Sequence, residues 1–207
     1  MYARSTTVQA RRESIDDGIA QIRDVVMPAI MEIDGCVGLS LMVDRDSGRC
    51  IATSAWDTDD AMRASADRVQ ALRDDAAAAF GGNIDKVEEW EIGALHRERQ
   101  AGDDARARCT WLQGDPANID AAIDAFRMAV LPEVQRMDGF CSASMFVDRA
   151  SGRAASVTAW ASRDAMEASR EPMNRVRWSV TEQIGARVLE VAEFELPVAH
   201  LRVPEMA

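Results

Sequence analysis

The chain is one unit written twice. Slid along itself by 104 residues, it matches without a gap. Asp34-Gly35 falls on Asp138-Gly139, and Val43-Asp44-Arg45 falls on Val147-Asp148-Arg149. Ser47-Gly48-Arg49 falls on Ser151-Gly152-Arg153, and Ala55-Trp56 on Ala159-Trp160. Glu89, Glu91 and His96 fall on Glu193, Glu195 and His200. A period near one hundred residues is too long for a solenoid and fits a duplicated small domain. The expected units are 1–98 and 107–207, with the polar stretch 99–106 as linker. Each is long enough for a modest core, and covering a remaining apolar face with its twin would enlarge it.

Within one unit the hydrophobic period changes in a fixed order. Residues Arg4 to Ala10 alternate as a strand. Ile15, Ile19, Ile22 and Val26 then recur at helical spacing, as do Ile119, Ile123, Phe126 and Val130. Pro28 and Pro132 should kink this helix, and Asp34-Gly35 and Asp138-Gly139 should end it. Val37, Leu39, Leu41 and Val43 alternate with smaller or polar residues, then Asp44 to Arg49 turn into a second alternating run ending at Trp56. Thr58 and Ser162 can cap a helix reaching about Phe80, which Pro172 should break in the second copy. Val87 to Leu95 and Val188 to Ala199 close each unit as strands. The order β-α-β-β-α-β predicts an α+β fold of two tandem ferredoxin-like repeats, each with its helices on one face of an antiparallel sheet.

Composition narrows the function. The formal net charge is −11, and no cluster of Lys and Arg offers a track for phosphates, so neither nucleic acid nor an anionic membrane is the expected partner. The start lacks the apolar core of a signal peptide and no stretch is long enough to span a bilayer, which predicts a cytoplasmic protein. Cys36, Cys50, Cys109 and Cys141 have no cysteine counterparts in the other copy and read as buried thiols. No ligand spacing suggests a metal and no Gly-rich loop suggests a nucleotide, so no cofactor is expected. The expected partner is a small organic molecule.

Strand alternation then nominates side chains. If helices cover the most apolar faces, the mixed faces lie on the other side of each sheet, which the resemblance given below implies is an enclosed chamber. That places Ser40, Met42, Ser144, Phe146, Trp56 and Trp160 inside, joined by Glu89, Glu91, Glu193 and Glu195. Arg4 and Arg108, on the neighbouring first strands, are natural partners for these carboxylates. Each such pair is either a structural ion pair or a substrate anchor with a shifted pKa. Glu91 and Glu195 are candidate proton acceptors, and His96 and His200 candidate proton-transfer groups near neutral pH. Trp111 and Trp178 occur only in the second copy, at the positions of Thr7 and Asp74.

The Asp-Gly before the second strand, and Ala-Trp-x-(Ser/Thr)-x-Asp-Ala-Met-x-Ala after the third, resemble the antibiotic-biosynthesis-monooxygenase domain of the dimeric α+β barrels. That resemblance implies two units pairing their sheets in one intramolecular, pseudo-dimeric barrel, a monomer for which further homodimerisation stays open. It implies a cofactor-independent monooxygenase-like enzyme acting on a planar or hydrophobic substrate. A ligand-binding or oligomerising module without catalysis is the alternative. The haem-degrading branch carries a Trp nine positions after the strand-end Trp, and a His nine further on. Ser65 and Asp74, and Ser169 and Trp178, stand there instead, so haem degradation is not implied.

Overall fold

The computed structural model describes residues 1–201. The first repeat runs β1 (Tyr2–Gln9), α1 (Ile15–Gln21), α2 (Met27–Met31), β2 (Cys36–Asp44), β3 (Arg49–Trp56), α3 (Asp59–Ala64), α4 (Ala66–Ala79) and β4 (Asn83–Arg97). The second runs β5 (Arg106–Gln113), α5 (Ile119–Ala125), α6 (Leu131–Gln135), β6 (Phe140–Asp148), β7 (Arg153–Trp160), α7 (Arg163–Ala168), α8 (Arg170–Ile184) and β8 (Arg187–Leu201). The strands form a closed antiparallel barrel in the order β1-β3-β2-β8-β5-β7-β6-β4. Among the described residues no helix is long and apolar enough to cross a membrane.

The chain divides into two compact units, 1–90 with the segment from Leu196, and Glu91–Glu195. The division falls inside β4 and β8, ahead of the polar stretch 99–106 in the first case. Those strands are 15 residues long, against 8 or 9 for β1 and β2, so each carries apolar residues for two cores. Ala94 of β4 is buried in the core of the second unit, and Val198 of β8 in that of the first.

The prolines act differently from their sequence reading. Between α1 and α2 the helix continues through a π turn, Ile22–Val26, and the same turn recurs at Phe126–Val130. Pro28 and Pro132 lack the N–H that an α turn would use, and the wider turn lets the helix run on without it. Pro172 breaks nothing. It sits in the first turn of α8, where a missing N–H is harmless. The break comes earlier and in both copies, at Ser65 and Ser169, whose hydroxyls donate back to the Met62 and Met166 carbonyls at 2.6 Å. Thr58 and Ser162 do cap α3 and α7, accepting from the Ala61 and Ala165 amides.

The hairpin turns also repeat. Asp44 Oδ1 accepts the amides of Asp46 and Ser47, and Gly48 takes φ +78°. A Cβ at Gly48 would stand 2.6 Å from the Ala10 carbonyl oxygen, so the position requires glycine twice over. The first core joins Ile15, Ile22, Ile30, Leu39, Leu41, Val43, Trp56, Met62 and Phe80, all buried. The second joins their counterparts, including Phe126, Val134, Met145, Val147, Trp160 and Met166.

Candidate functional site

Each unit has a cavity of about 50 Å³ between its helices and the covered face of its sheet. That is room for several waters or one small organic group. The two cavities are built from matched positions. Arg4, Thr6, Ile22, Val69, Arg73 and Phe80 line the first; Arg108, Thr110, Phe126, Met173, Arg177 and Ile184 line the second. The π turns supply Ile22 and Val26, and Phe126 and Val130, because the wider turn brings two side chains onto one face. The walls are apolar, and the polar groups are mostly arginine and hydroxyl.

Arg4 and Arg108 are buried and held by the same network. Arg4 donates through Nε and Nη2 to Glu89 Oε1 (3.0 and 2.8 Å), through Nη2 to the Met62 carbonyl (2.9 Å), and through Nη1 to Ser65 Oγ (3.3 Å). Arg108 repeats this with Glu193, Met166 and Ser169 at 2.7 to 2.9 Å. Arg170 adds a second guanidinium to Glu193 (2.8 Å). The serine at each helix break is therefore an acceptor for the arginine, and the network ties the helix junction to the first strand. Burial first, then the charge of Arg4, pulls the Arg73 guanidinium below its usual value; burial and Arg108 do the same to Arg177.

The expected chamber residues are distributed differently. Arg4, Ser54 and Trp56 face the helices, as do Arg108, Thr158 and Trp160, with each indole donating to its strand neighbour Ser54 or Thr158. Ile51, Thr53 and Ala55 take the other face. Alternation alone puts these faces one residue out, because Ile51, Thr53 and Ala55 read as the more apolar row for the helices to cover. Trp56 and Trp160 are fully buried core side chains on the row that does meet the helices. Ser40 and Met42, and Ser144 and Phe146, do lie opposite the Leu39, Leu41, Ala143 and Met145 rows that pack on the helices. In β4 it is Trp90, not the glutamates, that turns away from the helices; its indole donates to Ser5 Oγ (2.9 Å). In the second unit Trp111 of β5 also lies on the face away from the helices and meets Phe194 edge-on, with centroids 6.4 Å apart.

Of the acidic pairs, Glu89 and Glu193 reach the arginines, while Glu91 does not. Glu91 receives Arg149 Nε and Nη2 (2.6 and 3.0 Å), and Arg149 also reaches Asp120 (2.9 Å). The Arg149 hydrogen bond holds the Glu91 carboxyl below its usual range. Glu195 is half-buried and lies opposite Arg106 in the β5–β8 register. His96 stacks on Phe140 and lies 3.2 Å from Glu98 and 3.1 Å from Gln135, at the edge of the fold. His200 is half-buried near the end of β8, and Trp178 is largely exposed on α8. None of Glu91, Glu195, His96 or His200 lines either cavity. Burial pushes the Cys50 thiol, in the wall of the first cavity, up to about 12. No group of three His, Cys, Asp or Glu among the described residues is placed to hold a metal.

Sequence reasoning missed Ser65, Ser169, Arg73 and Arg177. The serines were met only as places where haem-associated residues are lacking. The arginines lie on helices otherwise rich in exposed charge, where one inward guanidinium has no periodic signature. Their recurrence 104 residues apart was the available signal.

No family model matches the chain. Two Mycobacterium tuberculosis H37Rv proteins are close relatives. Rv2557 is 51% identical over 206 residues, 100% of this chain and 92% of its own length. Rv2558 is 53% identical over 207 residues, 100% of this chain and 87% of its own length. Among solved structures, a candidate monooxygenase from Lactobacillus acidophilus superposes with TM-score 0.68 at 10% identity, covering 94% of this chain and 92% of that one. An anthrone oxidase-like protein gives 0.61 at 14% identity, with 96% and 95% covered. A ferredoxin-fold protein of Listeria monocytogenes related to antibiotic biosynthesis monooxygenases gives 0.51 at 6% identity, with 94% and 95% covered. These likenesses establish the α+β barrel fold and leave the reaction open. On that fold, the chain belongs to the family of Mycobacterium tuberculosis Rv2557 and Rv2558.

Proposed function

We propose that this protein takes a small, largely apolar organic molecule into the cavity between helices and sheet in each unit. The observation that carries this reading is recurrence. Cavities of the same size, lined from matched positions and each walled by two arginines, stand in both halves, although many lining residues differ. Drift alone would have filled at least one of them with larger side chains, since closing a void improves stability.

Cofactor-independent oxygenation of a planar substrate is the reaction this reading favours. Such chemistry asks the protein for a dry cavity and a cation beside the anion that the ionised substrate becomes. The apolar walls and Arg73 or Arg177 meet both needs, and the likeness to an anthrone oxidase-like protein suggests a fused-ring substrate, one edge of which enters the cavity. In an oxidation of that kind a ring CH₂ and O₂ become a carbonyl and water. The second reading, binding without turnover, is favoured by the arginines that occupy Glu89 and Glu193, the nearest carboxylates. Oxygen uptake with anthrone, corrected for the buffer reaction, tests the first. Uptake should be catalytic and should fall when Ala52→Leu and Ser156→Leu fill the cavities. Saturable binding of anthrone without uptake establishes the second reading. Absence of both sinks the fused-ring reading.

A further inference from the structure

The two arginines of each cavity are not equivalent. Arg4 is committed: Glu89, the Met62 carbonyl and Ser65 Oγ take its N–H groups. Arg73 lines the same cavity from α4, and its Nε is buried without a hydrogen-bond partner among the described residues. Unpaired buried N–H groups are uncommon in folded proteins and call for an explanation. Glu89 does not provide one, because both of its hydrogen bonds go to Arg4 and its side chain is about half exposed. Glu89 and the exposed Asp74 act on Arg73 through their charge without hydrogen-bonding it, and burial together with the charge of Arg4 outweighs them and disfavours the Arg73 cation.

The second unit repeats the arrangement. Arg108 is committed to Glu193, Met166 and Ser169, and Arg177 lines the cavity beside it. Arg177 spends Nη1 on Asn174 Oδ1, and Glu193 is shared with Arg170. Again the cavity holds more positive than negative charge, in a protein whose overall charge is strongly negative. A helix arginine turned inward against its own kind, twice, is a poor way to build a core. It is a good way to receive a planar anion, which a guanidinium fork binds by two parallel hydrogen bonds.

We propose that Arg73 and Arg177 receive the carboxylate of a small monocarboxylic acid whose apolar body fills the adjoining cavity. The inference rests on the small-molecule reading above and adds the head group. Arg4 and Arg108 position the site by holding the helix junction, and Thr6 and Thr110 offer hydroxyls on the facing strand.

Calorimetric titration of the full chain with benzoate, hexanoate and 1-naphthoate, each beside its amide, tests this. At least one acid should bind one molecule per unit and about tenfold or more tighter than its amide, the effect of one charge-assisted pair. Arg73→Gln should remove that preference in one unit and Arg177→Gln in the other, while Arg73→Lys keeps part of it. Arg73 is outside the structural clamp, so an unchanged melting curve will show that Arg73→Gln still folds. Equal binding of acid and amide, or a preference that survives both glutamines, overturns the carboxylate site and leaves the small-molecule reading standing. Failure of every acid and amide to bind at about 10 mM overturns both.

Discussion

Arg4 and Glu89 meet across 85 residues of chain, and Arg108 and Glu193 meet across the same 85. Each arginine also spans to the carbonyl that ends a short helix, 58 residues on. These contacts join the first strand, the fourth strand and the helix junction of a unit. Removing Arg108 takes the donor from Ser169 Oγ and one of two donors from the Met166 carbonyl, and leaves a void in a buried place. Arg108→Ala should therefore lower stability by about 2–4 kcal/mol. Glu89→Gln should cost only about 1 kcal/mol, since Glu89 is half exposed and the amide oxygen can still accept. Urea denaturation of the two variants checks the order; equal losses would mean the network acts only through the ion pair.

Much of this fold is legible before any coordinates. The gapless repeat, the change of period from two to three or four and back, and the hairpin signature of Asp44 and Gly48 all report local rules that nothing overrides. The faces of β3 and β4 are not legible in that way. Ala52, Ser54, Thr53 and Ala55 are too alike in size for alternation to choose, and Ile51 tips the reading toward its own row as the one that helices cover. In the fold the Trp56 indole N–H is satisfied by Ser54 two residues away, and the ring is free to be core. In β4 the acidic run hid the inward residue, Trp90. The site was half legible: Arg4 and Arg108 were recognisable as partners of the fourth-strand carboxylates, but that Glu89 and not Glu91 meets Arg4 was not, and Arg73 and Arg177 face inward only because the long helices pack as they do.

Glu91 should prove a surface residue. Its folded pKa is depressed, so its contribution is present above the unfolded value of about 4.3 and is lost as pH falls through the folded one. With partners exposed at the edge of the second unit, Glu91→Gln should cost about 0.5–1 kcal/mol at pH 7, and less in high salt. The melting-temperature gap between wild type and variant should narrow as the pH falls below about 4.3 and close in acid. A gap that persists there would assign the loss to packing. Ligand binding should be untouched, because Glu91 lines neither cavity.

The cysteines should separate by position. Cys36 is half-buried near Met31 Sδ, while Cys50, Cys109 and Cys141 are buried. Burial pushes Cys50 up to about 12, which leaves little thiolate at pH 8. Brief alkylation of the native protein with iodoacetamide at pH 8, read by peptide mass spectrometry, should label Cys36 first. Early labelling of Cys50 would mean that the first cavity opens to the reagent.

Gly18 and Phe80 make the sharpest case of two positions chosen together. A Cβ at Gly18 would lie 2.0 Å from Phe80 Cδ1, and Phe80 is almost wholly buried in the first core. The twin positions carry Ala122 and Ile184: where the ring is replaced by an aliphatic side chain, the helix can accept a methyl group. Gly18→Ala gains helix propensity of about 1 kcal/mol but drives the methyl group into a fixed ring. Overpacking should win, for a net loss of about 1–3 kcal/mol. Phe80→Ile alone should also destabilise, because it leaves space beside the glycine. The double variant reproduces the pairing of the second unit and should recover much of both losses. A double-mutant cycle by urea denaturation measures this directly, and a coupling of about 1 kcal/mol or more in favour of the pair is expected. Additive losses would show that the ring yields to the methyl group. The Gly18–Phe80 contact would then be a coincidence of the first core, not the reason that glycine stands in its first helix.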